Sequence, residues 1–130
     1  MSVEGTREIM MRYFDTEHAD TSMLADDVVF TIMTSGEEYC TPRSVLEMLN
    51  YFYNVAFDAV PVTKNIIFAD SQAVFEGVFV GKHIGEFAGI PATQKDVRVP
   101  LTVIYDLENG QIKHGRIYFL MASLMAQLGV

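Results

Sequence analysis

The sequence predicts an α+β fold, in which helices pack on the concave face of a curved antiparallel sheet. Helical periodicity is confined to roughly the first 56 residues. From Pro61 onward the chain consists of short segments rich in β-branched and aromatic residues, which is typical of strands. Because helices precede strands instead of alternating with them, we expect a meander with the helices segregated on one face.

Two amphipathic helices are predicted in the first half. The helix over residues 6–17 has apolar residues at helical spacing: Ile9, Met10, Tyr13 and Phe14. The second begins at Thr41-Pro42, because threonine caps free amides and proline at the first helical position loses no hydrogen bond. It is expected to run to about residue 56 and to bury Val45, Leu49, Phe52 and Ala56, with Tyr53 bordering that stripe.

Between these helices, a short turn capped by Asp20 leads to a strand at 28–33 that ends at Ser35-Gly36. We expect Glu37-Glu38 to lie in a loop and Asp58 to end the second helix. Further strands are predicted within 62–69, 72–87, 97–107 and 110–121, with a tight hairpin at Asn109-Gly110.

Most of these strands are apolar on both faces, so both faces of the sheet must be covered. Helices cover only the concave side. A second copy of the chain is the simplest cover for the convex side, which predicts a two-fold homodimer.

The composition excludes several classes of partner. Seventeen acidic residues against nine basic ones give a net charge of −8, without a basic cluster that could neutralise phosphates. Nucleic acid and anionic membrane surfaces are therefore not expected as partners. The N-terminus lacks the pattern of a signal peptide, and the lone Cys40 cannot form an internal disulfide, so we expect a cytoplasmic protein.

Three segments carry a family resemblance: GKHIGEFAGIPATQKDV at 81–97, ENGQI at 108–112 and MAQLG at 125–129. Together they resemble the SnoaL-like polyketide cyclases of the nuclear transport factor 2 superfamily. The resemblance implies one domain over 1–130, a cone-shaped nuclear transport factor 2-like (cystatin-like) fold, and cyclisation without a metal or organic cofactor.

The same resemblance places the catalytic acid of these cyclases at Leu120, and their usual glutamate at His114. Leucine cannot transfer a proton. The ketosteroid isomerases of the superfamily are similar at Tyr13, which matches their hydrogen-bonding tyrosine, but their two aspartates fall at Ile32 and Thr102. The resemblance therefore implies a pocket without the usual acids.

We predict that even-numbered positions of the last two strands face the concave side, where His114 and Arg116 would be catalytic. Imidazole titrates near neutrality, so His114 is the candidate acid or base, although a hydrogen-bonded wall histidine fits equally well. Arg116 would stabilise an enolate, or else pair with an acidic residue such as Glu76 or Asp106. Tyr105 is expected to face the dimer side.

The predicted substrate-binding residues belong to the same pocket or to its rim: Tyr13, Ile32, Phe52, His83, Phe87, Thr102, Tyr118 and Leu120. The hypothesis is a cofactor-independent isomerase or cyclase that moves a proton next to a carbonyl of a hydrophobic, polyketide-like or terpenoid-like molecule. The alternative is a non-catalytic dimer that binds such a small molecule. No metal-ligand spacing, phosphate-binding loop or serine-histidine-acid signature is evident.

Overall fold

The computed structural model describes residues 2–16 and 21–129, and it confirms the predicted α+β class. The helices are α1 (Val3–Asp15), α2 (Pro42–Asn50) and α3 (Met121–Leu128). The strands are β1 (Leu24–Ile32), β2 (Glu37–Tyr39), β3 (Phe57–Ala69), β4 (Gln72–His83), β5 (Asp96–Glu108) and β6 (Gln111–Phe119). A 3₁₀ turn, Thr21–Met23, precedes β1, and a π-helical turn, Tyr51–Val55, extends α2. The predicted Asp20 cap lies outside the described residues.

All six strands form one sheet in the order β2-β1-β6-β5-β4-β3. The meander from β3 to β6 is antiparallel, as predicted, whereas β1 and β6 are parallel. The sheet is therefore mixed. A parallel pair needs a long connection, and the chain between β1 and β6 supplies it with α2 and four strands.

One face of the sheet, the concave face, carries the apolar core and packs against the helices. The register aligns Ile32, Ile117, Val103 and Phe75 across four neighbouring strands. All four are buried in the same cluster as Met10 and Tyr13 of α1. Concave positions are thus odd-numbered in β4 and β5 and even-numbered in β1. In β6 they are odd-numbered from Gly115 onward, whereas Ile112, before the register shift, is an even-numbered core residue.

This register makes the prediction for the last two strands wrong. Even-numbered residues of β5, and those of β6 from His114 onward, lie on the opposite, convex face, where Tyr118 is 42% exposed, and Leu120 just beyond β6 is 52% exposed. Tyr105, expected on the dimer side, is buried on the concave face. Because side chains alternate along a strand, an error of one residue moves every side chain to the other face.

The start of α2 is confirmed, and its capping is reciprocal. The Ser44 N–H donates to Thr41 Oγ1 at 3.0 Å, and the Thr41 N–H donates to Ser44 Oγ at 3.1 Å. The α-helix ends at Asn50, earlier than predicted. The chain continues as the π turn, closed by a hydrogen bond of 2.8 Å from the Ala56 N–H to the Tyr51 carbonyl.

Two local predictions differ from the structure, and helix α3 was not predicted. Glu37-Glu38 pairs with β1 as part of the short strand β2, and Asp58 lies within β3. Helix α3 follows β6 directly. The part of β5 before Leu101 extends beyond β6 and has no strand of the described chain on that side. The Gln127 side chain of α3 covers this part, because it accepts from the Arg98 N–H and donates to the Arg98 carbonyl, both at 2.8 Å.

The predicted hairpin between β5 and β6 is confirmed. Asn109 and Gly110 have φ of 53° and 76°, the positive values that a two-residue type I′ turn requires. This turn fixes the direction in which β6 returns along β5.

Candidate functional site

A cavity of about 420 Å³ lies between the concave face and the N-terminal helices. Its walls come from α1, α2, the π turn and strands β1 and β3 to β6. Most of the lining is apolar and aromatic, including Phe14, Phe30, Ile32, Leu46, Met48, Leu49, Phe52, Phe75, Phe79, Leu101, Val103, Ile117 and Phe119. Volume and lining are typical of a site for a small hydrophobic molecule.

Three tyrosines contribute to the lining of this cavity: Tyr13 from α1, Tyr53 from the π turn and Tyr105 from β5. The rings of Tyr13 and Tyr105 pack edge to face, with centroids 6.1 Å apart. Burial raises the pKa of all three phenols, and the neighbouring phenols raise the pKa of Tyr13 and Tyr105 further. The hydroxyls therefore remain protonated near neutrality and can donate hydrogen bonds.

Charged side chains do not occur among the described residues that line the cavity. Its polar groups are the three tyrosine hydroxyls, Thr63 and the amides of Asn50 and Asn54. Such a site can hold and polarise a carbonyl oxygen, and can stabilise negative charge that develops on it. None of the described lining residues is a carboxylate or an imidazole that could serve as the usual proton acceptor.

The mouth of the cavity lies where the π turn meets β3. Asn50, Asn54, Val60 and Thr63 are exposed lining residues, whereas Tyr13 and Tyr105 are buried. The Asn54 amide donates to Asn50 Oδ1 at 3.0 Å, so the two side chains form one polar rim.

Eight of the ten sequence-predicted site residues fall into two groups. Tyr13, Ile32 and Phe52 line the cavity. The other group lies on the convex face or just beyond β6 and does not line the cavity: Thr102, His114, Arg116, Tyr118 and Leu120. The structure thus brings His114, Arg116 and Tyr118 to one face, but this face is directed away from the cavity.

Arg116 forms an ion pair with Asp106, which was the alternative prediction for this residue. Its guanidinium donates to both carboxylate oxygens of Asp106, and Gln72 Nε2 donates to Asp106 Oδ1 at 2.8 Å. Partial burial raises the pKa of Asp106, but the hydrogen bonds from Arg116 and Gln72 outweigh it and hold this pKa below its ordinary value. His114 is exposed beside this cluster.

His83 and Phe87 do not line the cavity either. His83 is fully buried against the Phe57 ring, and its Nδ1 accepts from the Thr93 N–H at 3.2 Å. The proton of the neutral ring is therefore on Nε2, which has no hydrogen-bond partner in the described part of the chain. Phe87 packs behind Phe52, with ring centroids 5.6 Å apart. Both residues fix the loop after β4.

Sequence reasoning missed five polar residues of the cavity: Asn50, Tyr53, Asn54, Thr63 and Tyr105. The alternation of polar His114, Arg116 and Tyr118 with apolar Ile117 and Phe119 was a usable signal, because polar residues of a half-covered sheet face outward. This signal also determines the face of Tyr105, since Tyr105 pairs with Gly115.

The fold and the cavity define a class of protein in which a curved sheet and the N-terminal helices of an α+β domain enclose a small-molecule site. Residues 11–128 match the family model for SnoaL-like polyketide cyclase, so the chain belongs to that family. A comparison with curated protein sequences found no match.

Solved structures share the fold at low sequence identity. A protein described as a SnoaL-like polyketide cyclase from Shewanella putrefaciens CN-32 is 21% identical, with a TM-score of 0.80 over 95% of each chain. Another so described, from Jannaschia sp. CCS1, is 17% identical, with a TM-score of 0.85 over 98% of this chain and 93% of that one. A protein with a ketosteroid isomerase-like fold from Catenulispora acidiphila DSM 44928, in complex with trimethylamine, is 15% identical, with a TM-score of 0.74 over 96% and 95%.

Two features are absent from residues 2–16 and 21–129: a membrane-spanning helix and a cluster of metal ligands. No helix in these ranges is long and apolar enough to cross a membrane. Within the same ranges, no group of three or more histidine, cysteine, aspartate or glutamate residues is placed to hold a metal ion.

Proposed function

We propose that the protein is a cofactor-independent cyclase or isomerase that acts next to a carbonyl of a hydrophobic, polyketide-like or terpenoid-like molecule. The observation that carries the proposal is the apolar cavity, whose lining includes three protonated tyrosines. Membership of the SnoaL-like family supports it.

The tyrosines would act as a site for the enolate oxygen. A carbonyl oxygen that accepts hydrogen bonds from Tyr13 and Tyr105 in this apolar surrounding draws electrons from its α-carbon and makes the α-proton more acidic. A water molecule that enters through the exposed mouth would take the α-proton, and the electron pair of the C–H bond would leave negative charge on the oxygen that the phenols hold. In a cyclisation, the α-carbon would attack a second carbonyl of the same substrate, and that oxygen would finally take the proton.

The second candidate is a non-catalytic protein that binds such a molecule. It is favoured by the cavity lining, which contains no carboxylate or imidazole among the described residues. A protein that only binds needs the apolar walls and the hydroxyl donors but no proton acceptor.

Deuterium exchange on 2-tetralone distinguishes the two candidates. This bicyclic ketone fits the cavity volume and has α-protons whose loss in D2O is followed by NMR. Catalysis predicts exchange faster than in buffer alone, and a loss of about 100-fold or less when Tyr105→Phe removes one donor of a cluster that keeps two. Tyr118→Phe, on the convex face, is the matched control and should exchange like the wild type.

The outcomes separate cleanly. Binding of 2-tetralone by calorimetry with exchange no faster than the blank would favour the non-catalytic protein. Exchange that Tyr118→Phe abolishes and Tyr105→Phe leaves intact would move the chemistry to the convex face and contradict the assignment of the cavity.

We also propose that two copies pair through the convex face. Exposed apolar residues on this face include Val62, Ile67, Tyr118 and, beside it, Leu120. Five strands about 4.8 Å apart and ten residues long cover about 800 Å², which matches one side of a standard protein interface. The Asp106–Arg116 pair neutralises its own charge and so can be buried between two subunits.

Sedimentation equilibrium tests the pairing. Val62→Asp places a charge in the proposed interface and should give monomers. Val55→Asp, at an exposed valine of the π turn outside the sheet, is the matched control and should leave the mass unchanged. A wild-type protein that sediments as a monomer would refute the pairing.

A cytoplasmic location belongs to the same proposal. Cys40 is an exposed free thiol, which is stable in a reducing compartment and prone to oxidation outside one. Fractionation of cells that express the full-length protein tests this, and recovery from a membrane or extracellular fraction would contradict it.

A further inference from the structure

We propose that Asn50 and Asn54 select the ligand, and that they favour a neutral molecule with a carboxamide or hydroxyl group at the end that lies in the mouth. This deepens the proposed function, because it concerns the same cavity. It needs only that a ligand binds there, and not that the ligand reacts.

The first observation is the gradient of exposure along the cavity. Tyr13 and Tyr105 are buried at the inner end, where the helix α1 meets the sheet. Asn50, Asn54 and Thr63 are exposed at the outer end. The polar groups are thus separated by apolar walls, so a ligand that fills the cavity meets hydrogen-bonding groups at both of its ends.

The second observation is the geometry of the amide pair. Asn50 is the last residue of α2, and Asn54 follows it within the π turn, whose wider winding keeps these residues on the same side. Their mutual hydrogen bond uses one donor of Asn54 and the acceptor of Asn50. Both residues are exposed, and this bond does not use the NH2 of Asn50 or the carbonyl of Asn54. The reverse orientation of both amides would leave the same combination. One donor group and one acceptor complement a carboxamide or a hydroxyl.

The third observation is the charge of the surroundings. The described lining contains no cation that could pair with a carboxylate, and the chain carries a net charge of −8. A carboxylate at the mouth could accept from the Asn50 NH2, but it would face the Asn54 carbonyl oxygen and would lose hydration without a counter-charge. The mouth therefore disfavours anions.

Three naphthalene probes test the selection by calorimetry: naphthalene-2-carboxamide, naphthalene-2-carboxylate and 2-methylnaphthalene. None has a ketone, so binding is measured without turnover. The wild type should bind the carboxamide about 10-fold or more tightly than the carboxylate. In the double variant Asn50→Leu/Asn54→Leu, the affinity ratio of carboxamide to methyl compound should fall about 3- to 10-fold, the effect of one or two hydrogen bonds.

Two further variants exclude trivial explanations. Asn65→Leu makes the same substitution at an exposed asparagine outside the cavity lining and should keep the wild-type ratio. Asn54→Lys should reverse the preference, because a cation at the mouth can pair with the carboxylate. This gain of affinity does not arise from misfolding.

The results also separate this inference from the proposed function. Affinity ratios that stay the same in the double variant and in Asn54→Lys would overturn the selection, even if 2-tetralone exchange is catalysed. Ratios that change as expected, without any exchange, would keep the selection and remove the catalytic function. Failure of all three probes to bind would contradict both.

Discussion

The buried tyrosine cluster should make the protein unfold steeply at alkaline pH. A tyrosine in an unfolded chain ionises near pH 10, whereas burial raises the pKa of Tyr13, Tyr53 and Tyr105 in the fold. The unfolded state therefore releases protons that the native state retains. Because the unfolded state then binds fewer protons, stability is intact below pH 10 and falls as the pH rises above it.

The magnitude follows from the number of phenols. Each retained proton costs about 1.4 kcal/mol of stability at pH 11 and about 2.7 kcal/mol at pH 12, so three cost about 4 and about 8 kcal/mol. A domain is typically stable by about 5–15 kcal/mol, so this loss is enough to unfold it within one or two pH units.

Two signals measured together test this prediction. The first signal is tyrosinate absorbance, and the second is circular dichroism, which reports the folded state. The cluster should ionise only as the dichroism is lost. Tyr105→Phe should reduce the slope of stability against pH by about a third, and Tyr118→Phe should not. Ionisation of all six tyrosines near pH 10 in the folded protein would refute the burial of the cluster.

Three substitutions give further predictions. Val103→Phe narrows the cavity and should weaken 2-tetralone binding by about 10-fold or more, at a cost of about 1–3 kcal/mol in stability. Thr102→Phe on the convex face is the control, and calorimetry should show unchanged binding for it. Leu120→Asp, made in the Val62→Asp background so that no subunit interface is involved, should stabilise the fold by about 1 kcal/mol in urea unfolding, because Leu120 is the N-cap of α3 and lacks a capping side chain. Position 120 lies outside the cavity, so faster exchange of 2-tetralone after this substitution would contradict that placement. His83→Leu should lower the free energy of unfolding by about 1–3 kcal/mol, because the Thr93 N–H loses its buried acceptor. It should also speed proteolysis of the loop after β4. Unchanged stability and cleavage would show that His83 does not anchor the loop.

The fold could be predicted from the sequence because its signals are local. Thr41-Pro42 marks a helix start by its own chemistry, and Asn109-Gly110 marks a hairpin by its tolerance of positive φ. The segment after Gly81 adds a family pattern. Each of these depends on a few adjacent residues, and none requires knowledge of which side of the sheet is covered.

The orientation of the strands was harder to predict. In β5 both faces carry apolar residues, so the sequence pattern does not distinguish Val103 and Tyr105 from Thr102 and Ile104. The register shifts between β5 and β6, and between β1 and β6, add a second difficulty. Across such a shift, an odd or even residue number no longer indicates the same face of the sheet. The alternation within β6 indicates the faces of His114 to Phe119, but the face of Tyr105 follows from it only through the pairing of β5 with β6, which the sequence of β5 does not encode.

The rim of the cavity was beyond the sequence signal for a different reason. The prediction extended α2 as a regular helix to residue 56, and it did not anticipate the π turn that begins at Tyr51. This single change of winding sets the direction of Tyr53 and Asn54. A helical stripe read at 3.6 residues per turn cannot locate them.

A crystal structure with 2-naphthol tests most directly whether the concave cavity is the site. The hydroxyl of 2-naphthol takes the place of the enolate oxygen of 2-tetralone. We expect the ring among Phe30, Phe79 and Ile117, with its oxygen about 2.7–3.0 Å from a tyrosine hydroxyl of the cluster. A ligand bound against His114 and Arg116 on the convex face, with the cavity empty, would contradict the assignment.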